Sequence, residues 1–425
     1  EARAAEWFVA TNGSDTAEGT NWMTAKLTIQ AAIDEATSND TVWVSNGTYA
    51  TGGRVIYGAQ GNRVAIDRPI TVKSAYGPEV TIIQGGDFEA VRCAYVGSNA
   101  TLSGFTLTNG ATRREGDVDR ERSGGGAWGE VSGILTNCLL VGNSASKWGG
   151  GSYGGILKQC TIRGNSSDGG GGASDNILDN CTLIDNTANN GGGTFRSSVS
   201  NCLLIGNSAT YGGGSCYGTL EHCTLTSNSA HYYGGGSCWG TLNTCVLTSN
   251  SAQYYGGGAS DSTLSHCVLV GNSSQKGGGA SGSTLNNSTI NGNSASTRGG
   301  GAYEGTLTDC ELRGNIAAEN GGGAHGSTLT NCALVGNSTL GYGGGASDAI
   351  LIHCTVSSNS ASQDGGGTRN GSLDRCLLFG NSAGDFGGGT YCGNLNRCEL
   401  IRNTSSRAGG GSCAGVASNC LYEGN

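Results

Sequence analysis

The sequence predicts an all-β protein, a parallel β-helix built from about 14 regular coils, and three observations predict it. An asparagine recurs from Asn143 to Asn425 at a step of 21 or 22 residues. Each repeat carries a glycine triad followed by a small residue, and a cysteine or serine stands five residues before the asparagine. Glycine, serine, threonine and asparagine dominate the repeats, which disfavours a helical solenoid. Units this short cannot bury their apolar residues alone, so they must stack.

The apolar positions of the repeat indicate how each coil is built. An apolar residue stands two positions after the cysteine column, and because strand side chains alternate, both face the interior. A leucine three positions before the cysteine can share that interior only if the chain bends between them. We therefore expect two or three short strands per coil, joined by glycine-rich bends.

The cysteine column predicts an internal ladder. Thirteen of the eighteen cysteines, from Cys138 to Cys420, stand in this column, and Ser288 takes the remaining place. Small, polarisable side chains fit a narrow interior in which leucine would overpack. The asparagines suit turns that hydrogen-bond to the next coil. Four further cysteines lie at equivalent or nearly equivalent positions of successive repeats and could form vertical disulfides: Cys216 with Cys238, and Cys392 with Cys413.

The chain divides into three stretches by the regularity of its sequence. Residues 1–50 are expected to form an N-terminal cap and the first strands, and 51–123 the irregular first coils. Residues 124–425 form the regular repeats. The stretch TIQAAIDEA (28–36) has the apolar spacing of a helix that could cover the first coil. The charged stretch RREGDVDRER (113–122) is an insertion, expected to be a solvated loop or a contact site.

Two stretches of this sequence resemble secreted right-handed parallel β-helix proteins. The repeat GGG-[AST]-x-x-x-x-L-x-x-C-x-L-x-[GS]-N-[ST]-[AS] is similar to bacterial polymorphic outer-membrane-type and adhesin-like repeats. The stretch WFVATNGSDTAEGTNWMTAKLTIQAAIDEATSNDTVWVSNGTY (7–49) is similar to the start of pectate-lyase-like proteins. The resemblance implies right-handed coils and a secreted or bacterial cell-surface location. It implies no single function, because this fold carries lyases, hydrolases, adhesins and inert spacers.

The composition excludes several classes of partner. Charged residues make up 13% of the chain and the net charge is −9, so there is no basic stripe for nucleic acid. No apolar run is long enough to span a membrane. His222 and His266 share a column but lie two coils apart, too far to share a metal ion. We expect neither a metal nor another cofactor.

Catalytic residues are not evident, and enzymatic activity is left open but disfavoured. The sequence lacks an Asp-Asp pair, and the aspartates of the repeats are scattered among different columns. Asp175, Asp179 and Lys158 lie in neighbouring coils and come nearest to an acid–base group. Ordinary solvated surface is the favoured interpretation of these three residues. If the protein is an enzyme, the resemblance points to a polysaccharide lyase.

Aromatic residues cluster in consecutive coils beside the glycine triads. Tyrosine and tryptophan next to side-chain-free glycine would make a shallow platform for stacking sugars or packing a partner. Stacked rings also stabilise a solenoid by themselves, which is the alternative interpretation. The candidate contact residues are Trp148, Tyr211, Tyr217, Tyr232, Tyr233, Trp239, Tyr254 and Tyr255.

The two ends of the chain suggest self-association. The sequence stops at CLYEGN within a repeat, and a last coil with an unpaired strand can pair with another chain. A subunit added end to end would generate a filament. The candidate end residues are Trp7, Phe8, Val9, Leu421 and Tyr422.

The prediction that follows is a non-enzymatic extracellular structural protein. It would be a β-helical rod or fibre subunit that associates end to end, or with further surface-protein segments, into filaments. The alternative is a carbohydrate-active protein, either a polysaccharide lyase or a glycan-binding adhesin, whose lateral aromatic face contacts a polysaccharide.

Overall fold

A computed structural model of the chain describes residues 4–86 and 90–425, which pack into two compact units. The first unit runs to residue 209 and includes 214–219, and the second comprises 210–213 and 220–425. Each unit is a parallel β-solenoid, and the chain contains about 15 turns. The predicted fold class is therefore confirmed. The predicted division by repeat regularity stays a prediction.

The first unit begins with three parallel strands. Glu6–Val9 pairs with Thr41–Val44, which pairs with Thr71–Ser74. Trp7, Phe8 and Val9 thus belong to a paired strand, in which Val9 is fully buried. An antiparallel pair, Arg54–Val55 with Gly61–Ile66, interrupts the parallel pattern.

One short α-helix, Ile29–Glu35, lies in the segment where the sequence predicts a capping helix. The Thr28 hydroxyl accepts a hydrogen bond from the Ala31 N–H at 3.3 Å and caps the first turn. Ile29 and Ile33, one helical turn apart, are buried. A 3₁₀ helix, Trp22–Thr24, precedes it.

A regular turn contains four short strands, more than the two or three that the sequence predicts. In the second unit these are Thr263–Ser265, Val268–Val270, Ser273–Lys276 and Ala280–Ser281. Each strand pairs in parallel with its counterpart one turn later, so equivalent side chains stack: Leu264 on Leu285, Leu269 on Ile290, Ala280 on Ala302. The fourth strand was missed because serine, threonine and asparagine dominate that segment.

The cysteine column forms the predicted interior ladder. Cys267 donates through Sγ to Ser265 O at 3.3 Å and to Leu242 O at 3.6 Å. Ser288 takes the same place one turn later and donates to Asn286 O at 2.8 Å. The thiols and this hydroxyl thus satisfy backbone carbonyls inside the solenoid.

The charged insertion is held against the first unit by its backbone. Arg92 is buried and donates to the carbonyls of Arg120 at 2.8 Å and Ser123 at 2.7 Å. Trp128 Nε1 donates to Asp119 O at 2.8 Å. Burial lowers the pKa of Arg92 to about 9. The insertion therefore packs onto an aromatic cluster around Trp128, which also contains Tyr57, Tyr95 and Tyr153.

Candidate functional site

The aromatic residues that the sequence singles out fall into two groups, one in each unit. In the first unit, Trp148 stacks on Phe195 with ring centroids 5.3 Å apart, and Tyr217 meets Phe195 edge-on at 6.0 Å. The second unit holds the larger group: Tyr211, Tyr232, Tyr233, Trp239, Tyr254 and Tyr255.

The tyrosines of the second unit form a stacked ladder along successive turns. Tyr232 lies between Tyr211 and Tyr254, with centroids 5.5 Å from each, and Tyr233 lies 5.3 Å from Tyr255. Interplanar angles are 18–24°, so the inner rings cover one another's faces. The ladder therefore offers a ligand mostly ring edges and hydroxyls, rather than the open ring faces that the sequence suggested.

A recess beside this ladder, which we call the notch, has a cavity volume of about 450 Å³. It forms because two successive turns carry small side chains on its floor, Ser260 and Ser281, and the second turn has glycine at the rim, Gly282. Larger side chains in the turns before and after these two bound it. Its lining is Tyr233, Trp239, Tyr255, Ser260, Asp261, Ser281, Gly282, Tyr303 and Glu304.

One backbone conformation positions the rim of the notch. The rim residues follow the strand after each glycine triad and have left-handed backbones: Trp239 (φ 50°), Asp261 (φ 49°), Gly282 (φ 59°) and Glu304 (φ 49°). Because this geometry repeats in every turn, the rim side chains stand in a column. Glycine in this column leaves a gap between Asp261 and Glu304.

Two carboxylates and one ammonium group determine the electrostatics of the notch. Asp261 and Glu304 are exposed, and Asp261 Oδ2 accepts a hydrogen bond from Ser260 Oγ at 2.9 Å. Tyr303 is buried and hydrogen-bonded to Glu304. Burial first, and this hydrogen bond second, raise the pKa of Tyr303 to about 12, so the phenol stays neutral at physiological pH. Lys276 Nζ lies 5.1 Å from the centroid of the Tyr303 ring.

Sequence reasoning missed Tyr303, Asp261 and Glu304. A usable signal was present, since Asp261 and Glu304 occupy the same repeat position as the predicted contact residue Trp239. Tyr303 occupies the preceding position, where Ser260 and Ser281 also stand. Aligning these two columns, rather than the residues before the triads, would have located the notch.

The candidate acid–base group of the first unit is engaged in surface contacts. Asp175 Oδ2 lies 2.8 Å from Arg196 Nη2. Asp179 Oδ1 accepts from Asn201 Nδ2 at 3.0 Å, and this hydrogen bond is the main influence lowering the pKa of Asp179. Lys158 stands opposite Asp179 in the register of two paired strands, Ile156–Lys158 and Ile177–Asp179. These contacts leave the interpretation as solvated surface unchanged.

The predicted disulfides and assembly ends stay predictions. Cys216 and Cys238 are buried, one in each unit. Cys392 and Cys413 carry free thiols, and the Cys392 N–H donates to Cys413 O at 2.9 Å. At the other end of the chain, Leu421 and Tyr422 lie in the strand Leu421–Glu423 and are 54% and 43% exposed.

Two searches within the described residues gave negative results. Across residues 4–86 and 90–425, no group of three or more His, Cys, Asp or Glu side chains could hold a metal ion. Nor does the described part contain a helix long and apolar enough to cross a membrane.

Comparisons with known proteins give matches only among solved structures. Neither a protein-family model nor a curated protein matches the chain. A rhamnogalacturonan lyase is 13% identical, with 98% of this chain and 87% of that one covered and a TM-score of 0.25. A mutant of the alginate lyase AlyGC is 9% identical, with 99% of this chain and 80% of that one covered and a TM-score of 0.34. The A-module of the Azotobacter vinelandii mannuronan C-5 epimerase AlgE6 is 12% identical, with 93% of this chain and 94% of that one covered and a TM-score of 0.24. The parallel β-solenoid shown by the strand pairing is the fold that the sequence-based resemblance implied.

Proposed function

We propose that the protein binds carbohydrate and that the notch of the second unit holds a sugar unit. The observation that carries this proposal is the notch itself, a recess between Trp239 and Tyr303 with carboxylates at its rim. Binding sites for small molecules are typically concave and bring a few polar groups together, and the notch is concave, with aromatic side chains beside a polar floor and rim.

The notch suits a neutral sugar with many hydroxyls. A pyranose has an apolar C–H face, which can pack on an aromatic side chain, and hydroxyls around its edge, which can donate to carboxylates. Trp239 supplies the aromatic surface, and Asp261 and Glu304 supply the acceptors. Tyr303 is 7% exposed and its ring stacks on His325, so it closes the far side of the notch. Ser260 and Ser281 keep the floor low enough for a ring to enter.

The tyrosine ladder extends this binding surface along the unit. Tyr232 is 38% exposed, and its ring is stacked between those of Tyr211 and Tyr254. Edges and hydroxyls repeating once per turn could hydrogen-bond to further units of a chain-like glycan, so we expect oligosaccharides to bind more tightly than monosaccharides. A secreted or cell-surface location, where polysaccharides are met, belongs with this proposal.

The proposal concerns binding without catalysis. It follows the alternative given in the sequence analysis, a glycan-binding protein, and departs from the main prediction of a structural rod or fibre subunit. A lyase would need a base and a charge-stabilising group at one sugar carbon. The notch lining supplies carboxylates and phenols, and the nearby ammonium group, Lys276 Nζ, lies beside the Tyr303 ring, 5.1 Å from its centroid. The end-to-end filament stays a prediction, since no contact between copies is described.

A glycan array tests the proposal with the full chain and two variants. Wild type should bind a subset of neutral oligosaccharides. Trp239→Ala removes one aromatic wall and should weaken binding at least tenfold. Phe386→Ala, which removes a half-buried ring from the same unit outside the notch, is the matched control and should bind as wild type does.

Three results would overturn the proposal. They are no binding by wild type to any neutral or acidic glycan, equal binding by wild type and Trp239→Ala, and equal weakening by the Phe386→Ala control. Thermal unfolding of each variant separates loss of binding from loss of fold.

A further inference from the structure

The far wall of the notch rests on a buried histidine of the next turn. His325 stands opposite Tyr303 in the register of two paired strands, and the two rings stack with centroids 5.6 Å apart at an interplanar angle of 13°. In the turn after that, Ser347 stands opposite His325, so the imidazole lies between Tyr303 and a small side chain. His325 is 9% exposed. The ring of Tyr303 is therefore backed by an imidazole that water hardly reaches.

One nitrogen of this imidazole is left without a partner. Within the described residues, Nδ1 of His325 is buried and makes no hydrogen bond. The Asp348 carboxylate is close, with Oδ2 3.5 Å from Nδ1. That oxygen already accepts from Ser347 Oγ at 2.7 Å, and Oδ1 of Asp348 accepts from Asn370 Nδ2 at 3.0 Å. Asp348 is thus held in place from two sides, just beyond hydrogen-bond contact with the imidazole.

The charges around His325 balance, so burial decides whether it takes a proton. They come from its own turn and from the turns on both sides, with three cations against three carboxylates. The cations are Lys276, Arg298 and Arg369, and the carboxylates are Glu304, Asp348 and Glu319, the last of which pairs with Arg298 at 3.6 Å. Burial is the largest influence and holds the pKa of His325 below its ordinary value, while Asp348 acts in the opposite direction. At neutral pH the imidazole is therefore uncharged.

A proton on His325 would place a charge in this buried position. The face of the Tyr303 ring offers that charge little, because Lys276 Nζ already lies 5.1 Å from the ring centroid. A buried charge without a partner is costly, and two movements relieve the cost. The imidazolium approaches Asp348, or it turns toward water. Either movement shifts the imidazole from its stack with Tyr303, and the far wall of the notch loses its support.

We propose that the notch is acid-sensitive, and that protonation of His325 loosens Tyr303 and releases the bound glycan. The effect on affinity rests on the carbohydrate binding proposed above. The effect on the stability of the second unit does not, because it follows from the burial of His325 alone.

The effect of pH on stability has a defined sign. Because the pKa of His325 is lower in the folded chain than in the unfolded chain, where it is about 6.5, the unfolded chain takes up the proton first. The stabilisation that depends on a neutral His325 is therefore present above about pH 6.5 and is lost as the pH falls from there through the folded-state pKa.

Proton NMR of the full chain measures the titration of His325 directly. The chain has five histidines, so their imidazole signals can be followed one by one, and His325→Phe identifies the signal of His325 by its loss. We expect this signal to titrate below about pH 6.5. Titration at or above that value would overturn the inference.

Isothermal titration with the glycan that wild type binds best tests the release. Wild type should bind at least threefold more weakly at about pH 5 than at about pH 7.5, and His325→Phe should bind nearly equally at both. Phenylalanine suits this position, because Phe195 stands at the same place after a glycine triad and is buried. If His325→Phe does not fold, His325→Gln replaces it. His266→Gln, at an exposed histidine of the same unit, is the matched control and should keep the wild-type dependence on pH.

Urea denaturation at the same two pH values gives a readout that needs no glycan. The midpoint of wild type, relative to that of His325→Phe, should be lower at about pH 5 than at about pH 7.5. If wild type binds no glycan at either pH, the proposed function fails, and NMR and denaturation still decide whether His325 makes the second unit acid-sensitive. If wild type binds a glycan equally well at both pH values, or if His325→Phe keeps the full pH dependence, this inference fails and carbohydrate binding stands. A relative midpoint that does not change with pH would also overturn it.

Discussion

The side chain of Asn250 donates to Asn272 Oδ1 at 3.0 Å, and the Asn250 backbone N–H donates to the same oxygen at 2.9 Å. Nδ2 of Asn250 also donates to Leu225 O at 2.9 Å. Asn272 repeats this arrangement with Asn293 one turn later. Both asparagines are fully buried, so the column satisfies its own polar groups and ties each turn to the next.

Replacing one asparagine of this column should destabilise the second unit. Asn272→Ala leaves the side chain of Asn250 and its N–H without their acceptor, and we expect a loss of at least about 2 kcal/mol in the free energy of unfolding. Urea denaturation measures it. Asn243→Ala, at an exposed strand position, is the control and should change stability by less than about 0.5 kcal/mol. Equal effects of the two substitutions would contradict this role for the column.

The glycine triads should tolerate substitution less well than glycines with open space around them, such as Gly292. A Cβ at Gly258 would lie 2.6 Å from Gly279 O, a backbone atom that cannot move aside, so Gly258→Ala should cost about 3 kcal/mol or more. Gly292 has a φ of 59° but open space around its Cβ, and Ser249 adopts the same conformation at an equivalent position. Gly292→Ala should therefore cost only about 1 kcal/mol. Thermal unfolding of both variants tests this order, and the reverse order would contradict it.

Replacing a cysteine of the ladder by serine should change the stability little, and replacing it by leucine should lower the stability. Ser288 occupies a ladder position, and its hydroxyl accepts from the Cys267 N–H at 3.1 Å. Cys267→Ser should therefore change stability by about 1 kcal/mol or less, whereas Cys267→Leu should overpack the narrow interior and cost about 1–3 kcal/mol. Denaturation midpoints distinguish the two variants. A leucine variant as stable as wild type would show that the interior is wider than described.

The stability of the region around the N-terminal strand, Glu6–Val9, should depend on the negative charge of Asp40. This carboxylate is 3% exposed and accepts from Ala5 N–H and Thr37 N–H, both at 2.7 Å, and from Trp7 Nε1 at 3.2 Å. Burial opposes the charge, but these hydrogen bonds outweigh it and lower the pKa of Asp40. Asp40→Asn should cost about 2 kcal/mol at pH 7, measured by unfolding with Trp fluorescence.

The effect of pH on this variant has a defined sign. Because the folded-state pKa of Asp40 lies below the unfolded value of about 3.9, its stabilisation is present above that value and is lost as the pH falls through the folded pKa. The difference between wild type and Asp40→Asn should shrink below about pH 4. Asp309→Asn, at an exposed carboxylate, is the control and should change stability by less than about 0.5 kcal/mol at pH 7. A difference that stays constant down to pH 2 would contradict this account.

The sequence was sufficient for the architecture because the same constraint recurs in every turn. The small interior side chains and the Asn250–Asn272 contact follow from stacking identical positions. The notch was not predicted because it depends on where the repeat fails, at Ser281 and Gly282, and on the size of the side chains in adjacent turns.

The most direct test of the central claim is to fill the notch without removing any side chain. Gly282 should accept a tryptophan, because Trp239 stands in the same rim column with a similar backbone, φ 50° against 59° at Gly282. The atom nearest a Cβ at Gly282 is Asp261 Oδ1, which belongs to an exposed side chain that can rotate away. Isothermal titration with the glycan that wild type binds best should show Gly282→Trp weakened at least tenfold. Asn370→Trp, in the same column outside the notch, should be unchanged. Wild-type affinity in a folded Gly282→Trp variant would contradict carbohydrate binding at the notch.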